Sequence, residues 1–246
     1  MIQMVDGASA HTNAFFLADK RSEMTLVAFK EYHAMVEHQM EKKLCCIRTN
    51  DGSEFCNTLW AAYFAEHGII HETTAAYSSE SNGVIECSNQ TVIERTQVLL
   101  NDSSLPQSMW CEVAATVVYL KDFISTTCRS DTTPYEDWRG LRPDVSHLRP
   151  FSCTAYMKIP VEIGGEKLDV RSVKCVFIGY LAGTPTVSSI GLLGGLTAPM
   201  MSSLRKAWIT ALYHQLPVPR MRGRMSQTRS FSNCSPTMCL LMLDSL

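Results

Sequence analysis

The sequence contains no apolar run that approaches the roughly 20 residues a membrane-spanning helix requires. Its first residues carry neither the basic flank nor the cleavage site of a secretory leader. Both absences predict an intracellular protein without a membrane segment. The ten cysteines include no CxxC pair and no nearby histidine at zinc spacing, so they predict scattered reduced thiols rather than a zinc site or a disulfide framework.

Acidic residues are almost absent from the last quarter of the chain. Residues 1–180 contain 16 basic and 23 acidic side chains, a net charge of −7, whereas residues 181–246 contain six basic side chains and the single acid Asp244. The later range also shows no hydrophobic period of 2 or 3.6 residues. Three interpretations stay open for residues 184–246: a shifted reading frame, a disordered basic tail or a folded domain. The first two predict an irregular segment without a packed core.

Strand and helix patterns alternate over residues 1–124. Two short strands at 1–6 and 13–18 predict a hairpin, and the unbroken apolar run at 44–47 predicts a buried central strand. Helices are predicted near 22–43, 54–67, 82–101 and 107–124, with Gly68 closing the second. This order predicts an α/β unit of the ribonuclease-H-like type.

A series of short motifs follows in order from residue 48 to residue 180. They include Arg48-Thr49-x-x-Gly52-Ser53-Glu54-Phe55, Ser81-Asn82-Gly83-Val84-x-Glu86, Asn89-x-Thr91, Thr133-Pro134-Tyr135-Glu136-x-Trp138 and Phe177-x-Gly179-Tyr180. The series resembles the integrase core of copia-type retrotransposon Pol polyproteins. The resemblance implies an integrase core fragment at 1–124, a linker at 125–150, a small β module of the polyprotein at 151–183 and an irregular tail at 184–246.

The resemblance also implies DNA strand transfer by two Mg²⁺ or Mn²⁺ ions that three carboxylates hold. Glu86 stands at the position of the family's helix glutamate, and 35 residues separate it from Asn50, where the family has aspartate. The family has aspartate followed by asparagine at these two positions, whereas this chain has Asn50 followed by Asp51. We therefore predict Glu86 as a catalytic and metal-binding residue, Asp51 as a substitute ligand and Asn50 as a degenerate position. The first carboxylate belongs to a strand before Met1, so we expect a sheet without its central first strand.

DNA is the partner that the resemblance implies, together with other polyprotein segments, a possible oligomer and a nuclear site of action. The residues predicted to bind nucleic acid are Arg48, Asn82, Asn89 and Arg95. Three cationic positions of the family are neutral here, at Cys87, Ser88 and Gln90, which predicts weaker DNA binding. Three functions stay open: an integrase fragment with impaired catalysis, a nucleic-acid-binding or assembly module without catalysis, or a non-functional relic of a decayed element.

Overall fold

The computed structural model describes residues 1–40, 43–73, 83–125, 131–158, 171–180, 187–190 and 238–244. The strands are β1 (Ile2–Asp6), β2 (Thr12–Phe15), β3 (Leu44–Thr49), β4 (Ile70–Thr73), β5 (Thr154–Lys158), β6 (Ser172–Tyr180), β7 (Val187–Ile190) and β8 (Met238–Asp244). The helices are α1 (Ser22–Met40), α2 (Thr58–His67), α3 (Gly83–Ser103), α4 (Trp110–Lys121) and α5 (Pro134–Arg139), and a 3-10 turn at Gln107–Met109 precedes α4.

The chain forms two compact units that interleave along the sequence. The first unit combines Met1–Glu94, Val118–Pro143 and Pro219–Leu246, and the second combines Arg95–Val117 and Asp144–Val218. The four-segment division implied by the resemblance stays a prediction. No helix in the described part of the chain has the length and apolar character needed to cross a bilayer.

The first unit is built on a mixed five-stranded sheet with the order β2-β1-β8-β3-β4. β1 is antiparallel to β2, as the predicted hairpin requires, and is also antiparallel to β8. β3 is parallel to both of its neighbours, β8 and β4. The α/β class predicted from the sequence is confirmed.

The centre of this sheet corrects one expectation. The sequence predicts no strand between β1 and β3, yet β8 lies there. β7 and β8 are the described parts of 184–246, the rest of which lies outside the described residues, so the prediction of an irregular segment there stays a prediction. β8 begins with six consecutive apolar residues. A strand buried on both faces has this continuous pattern, so a search for a period of two misses it.

The observed helix ends follow from local capping. α2 begins at Thr58 rather than at the predicted position 54, because the Asn57 side chain accepts hydrogen bonds from the N–H groups of Leu59 and Trp60. Gly68 closes α2 in the left-handed conformation at φ +67°, as predicted. α1 begins at the predicted residue and is described to Met40.

The core of the first unit lies on one face of the sheet, under α1 and α2. Ile2 and Met4 of β1 and Ile47 of β3 join the aromatic side chains of both helices in one buried cluster. Alternate residues of a strand face opposite sides. Val5 accordingly packs on Ile85 of α3 at the other face.

The second unit contains the antiparallel sheet β5-β6-β7. The Thr116 hydroxyl of α4 lies 3.0 Å from the carbonyl oxygen of Ile178 on β6 and 2.9 Å from that of Glu112. A Cβ atom at Gly179 would clash with this hydroxyl. Glycine at 179 therefore permits the close approach of α4 to β6.

Candidate functional site

The end of β3 carries the exchanged amide and acid. Asn50 directly follows the strand, and its Oδ1 atom is buried without a hydrogen-bond partner in the described part of the chain. Asp51 is exposed in the next turn, where its Oδ1 accepts a hydrogen bond from the Cys56 thiol at 3.6 Å. Partial burial raises the pKa of that thiol, and the Asp51 carboxylate raises it further. The acid is thus engaged in the turn, and the neutral amide occupies the strand end.

Glu86 lies in the first turn of α3 and is exposed. The helix face that packs on the sheet is marked by the buried neighbours Ile85 and Ser88. A carboxylate in the first turn of a helix is stabilised by the helix dipole, by about 0.3–1 kcal/mol. The dipole is therefore sufficient to account for an acid at this position.

The predicted metal site requires several anionic oxygen atoms at one place, because two divalent cations need both ligands and neutralising charge. Within the described ranges, no three His, Cys, Asp or Glu side chains form a group that could hold a metal ion. Asn50 provides a neutral oxygen, and Asp51 is turned to a thiol. These residues therefore do not fit a pair of Mg²⁺ or Mn²⁺ ions.

The residues predicted to bind nucleic acid have different surroundings. Arg48 donates hydrogen bonds to Glu72 at 2.8 and 3.1 Å, and these bonds lower the pKa of the Glu72 carboxyl group. Asn89 accepts a hydrogen bond from the Gln3 amide at 3.1 Å. Arg95 is exposed on α3, and Asn82 lies outside the described residues. The charge of Arg48 is thus partly neutralised, and Asn89 is engaged within the fold.

A polar cluster that the sequence did not predict joins α3 and α4 to the β1–β2 hairpin. The Lys121 ammonium group donates to the hydroxyl groups of Ser88 at 2.6 Å and Thr12 at 2.8 Å. Ser88 in turn donates to Gln3 Oε1 at 3.3 Å. We call these four residues the Lys121 cluster. The one signal in the sequence is the polar Gln3 between the apolar residues Ile2 and Met4 of β1, since a buried amide needs polar partners.

A second polar group lies beside β2. Asp122 accepts a hydrogen bond from the Thr12 N–H at 3.2 Å, and its other carboxylate oxygen is 2.7 Å from His11 Nδ1. The His11 ring stacks on Trp138 with 4.6 Å between the ring centroids. Asp122 also acts on Tyr32 of α1. Burial raises the pKa of the Tyr32 hydroxyl, and the negative charges of Asp6 and Asp122 raise that pKa further.

The backbone register places β8 beside the end of β3. Met242 pairs with Thr49 of β3 and with Met4 of β1. Leu243 then pairs with Gln3, and Asp244 with Ile2. The last residues of β8 therefore reach the sheet edge at which Asn50 follows β3.

This mixed sheet, with α1 and α2 packed on one face and α3 on the other, defines an α/β fold with polar residues at the end of β3. No protein-family model matches the chain. The sequence is 32% identical over 179 residues to the retrovirus-related Pol polyprotein from transposon TNT 1-94 of Nicotiana tabacum, which covers 73% of this chain and 13% of the polyprotein. The corresponding polyprotein from transposon RE1 of Arabidopsis thaliana is 30% identical over 177 residues, 72% of this chain and 12% of the polyprotein. The chain is homologous to the retrovirus-related Pol polyproteins of plant copia-type transposons, and it spans about an eighth of their length.

Solved structures similar to this chain include two retroviral proteins. A simian T-cell lymphotropic virus intasome in complex with PP2A regulatory subunit B56 gamma has a TM-score of 0.47 and 14% identity, covering 77% of this chain and 69% of that one. The HTLV-2 integrase catalytic core domain in complex with magnesium has a TM-score of 0.43 and 18% identity, covering 55% of this chain and 82% of that one.

Proposed function

We propose that this chain is an integrase-core segment of a copia-type Pol polyprotein that does not catalyse metal-dependent strand transfer. Its ancestral role is DNA integration in the nucleus, with the element ends, target DNA and other polyprotein segments as partners. The homology to copia-type polyproteins supports the ancestral role. The side chains at the end of β3 support the loss of catalysis.

The observation that carries the proposal is the placement of amide and acid after β3. Two-metal chemistry positions negative charge at each reacting oxygen, and the loss of one such group usually costs orders of magnitude in rate. Asn50 presents an oxygen atom without charge at the strand end. Asp51 has the charge but lies in an exposed turn beside Cys56. The negative charge of Asp51 thus lies one residue after the position at which the family carries its aspartate.

The register of β8 supports the same conclusion. Cross-strand partners lie on the same face of a sheet. In the backbone register, Asp244 pairs with Ile2, and Leu243 pairs with Gln3. Gln3 is the β1 residue whose amide donates to Asn89 of α3, the helix that bears Glu86. The acid of β8 therefore pairs one position away from the β1 residue that contacts α3.

The direct test is a joining assay with the full chain, a short terminal-repeat duplex and plasmid DNA in Mg²⁺ or Mn²⁺. We expect no joining by the unmodified chain, and none by Asn50→Asp, because one restored carboxylate adds too little negative charge for two divalent cations. Joining by the unmodified chain that is abolished in Glu86→Gln would contradict the proposal. It would mean that Asp51 replaces the acid expected at position 50.

DNA binding without catalysis is the second candidate function, and the ion pair of Arg48 offers a test of it. Glu72→Gln removes the carboxylate that neutralises Arg48, whereas Glu66→Gln removes an exposed acid with the same charge change. If Arg48 can reach DNA, Glu72→Gln should tighten duplex binding more than Glu66→Gln, and should steepen the salt dependence by about 0.9 for one added phosphate contact. Equal effects in a fluorescence anisotropy titration would exclude a specific contact through Arg48.

A further inference from the structure

β8 is held on both of its edges by main-chain pairing. It pairs with β1 from Ile2 to Asp6 and with β3 from Leu44 to Thr49. The flanking strands are buried, with Met4, Val5 and Ile47 all at 0% exposure. Without an inserted strand, the inner edges of β1 and β3 would have unpaired N–H and C=O groups, and each buried unpaired group costs about 1–3 kcal/mol.

The inserted strand comes from a part of the chain remote from its neighbours. Residues 74–237 lie between the end of β4 and the start of β8, so no short turn connects β8 to either flanking strand. Its six leading residues are apolar, as the centre of a sheet covered on both faces requires. In peptide recognition by strand addition, main-chain hydrogen bonds supply the affinity and side-chain positions supply the selectivity.

We propose that the space between β1 and β3 is a binding site for one extended apolar peptide strand, which this chain fills with its own Met238–Asp244 segment. The bound strand runs parallel to β3 and antiparallel to β1, so its direction is fixed. Pairing on two edges demands an unbroken main chain, and the covered faces select apolar side chains. This site is independent of metal binding and of strand transfer.

Two cysteines provide a test on the chain with an intact β8. Cys46 and Cys239 are register partners on β3 and β8. Adjacent strands are about 4.8 Å apart, which is within the Cα separation that disulfides span. Mild oxidation followed by peptide mass mapping should yield a Cys46–Cys239 disulfide within the monomer. Cys46→Ser should abolish this disulfide, and Cys87→Ser, at an exposed cysteine of α3, should leave it intact.

A complementation experiment tests whether the site accepts a separate peptide. Leu241→Pro in the full chain removes a main-chain donor from the middle of β8, and Val145→Pro, at an exposed residue outside the strands, is the matched control. We expect Leu241→Pro to lose the slow amide hydrogen exchange of β1 and β3. A peptide with the sequence of residues 238–244 and lysines at both ends for solubility should restore it, and a peptide of scrambled sequence should not.

Each outcome of these experiments decides the proposal. The intramolecular disulfide and the recovery of exchange protection support it. Unchanged protection in Leu241→Pro, or no recovery with the peptide, would overturn it. If Leu241→Pro aggregates, the oxidation experiment decides alone. Absence of the Cys46–Cys239 disulfide, or its formation only between two chains, would show that residues 238–244 do not fill the site of their own chain.

Discussion

Replacement of Lys121 by methionine should destabilise the first unit more than any exposed lysine substitution. Methionine keeps the apolar stem of the side chain but removes the ammonium group. The loss affects two short hydrogen bonds, to Ser88 at 2.6 Å and to Thr12 at 2.8 Å. Hydrogen bonds to a charged group contribute about 1.5–3 kcal/mol each. Both hydroxyl groups retain a second partner, in Gln3 and in the Ala10 carbonyl oxygen.

We therefore expect Lys121→Met to lower the unfolding free energy of the first unit by about 2–4 kcal/mol. The suitable assay is amide hydrogen exchange resolved on proteolytic peptides by mass spectrometry. It reports the first unit separately, which matters because a chain with two compact units need not unfold in one step. Lys43→Met is the matched control, since Lys43 is exposed, and it should change stability by less than about 0.5 kcal/mol. Ser88→Ala completes a double-mutant cycle with Lys121→Met. The reasoning is refuted if Lys121→Met and Lys43→Met have the same effect.

Two further predictions concern a glycine and a histidine. Gly179→Ala should destabilise the second unit, because its Cβ would clash with the Thr116 hydroxyl and its φ is +143°. Gly140→Ala has a positive φ but open space, so thermal unfolding should show a smaller loss, of about 1 kcal/mol. Burial lowers the pKa of His71 below 6.5. The unfolded chain therefore takes up a proton at His71 that the folded chain does not, and the free energy of unfolding should fall as the pH drops below 6.5. In denaturant titrations at several pH values, His71→Gln should flatten that dependence.

The first part of the fold could be predicted because its local signals agree with its tertiary structure. The apolar run at 44–47 became the interior strand β3, and Gly68 closed α2. β8 could not be predicted in the same way, because its partners lie almost the whole chain length away and its pattern has no period. Pairing over such a distance is a tertiary property that no short window of sequence contains.

The candidate site shows the same division between local and tertiary information. The exchange of Asn50 and Asp51 is visible in the sequence, and its consequence for charge follows from chemistry. That Asp51 would engage Cys56 depends on the turn geometry. The Lys121 cluster depends on the packing of two helices on one hairpin, so its members are not adjacent in sequence.

The distance between β8 and the rest of its sheet has a consequence for synthesis. Ribosomes add roughly 5–20 residues per second, so the 164 residues of 74–237 delay β8 by roughly 10–30 s after β4 is made. During that time β1 and β3 lack their common neighbour and expose strand edges to other nascent chains. The yield of folded protein should therefore depend on translation speed and on chaperones that cover these edges.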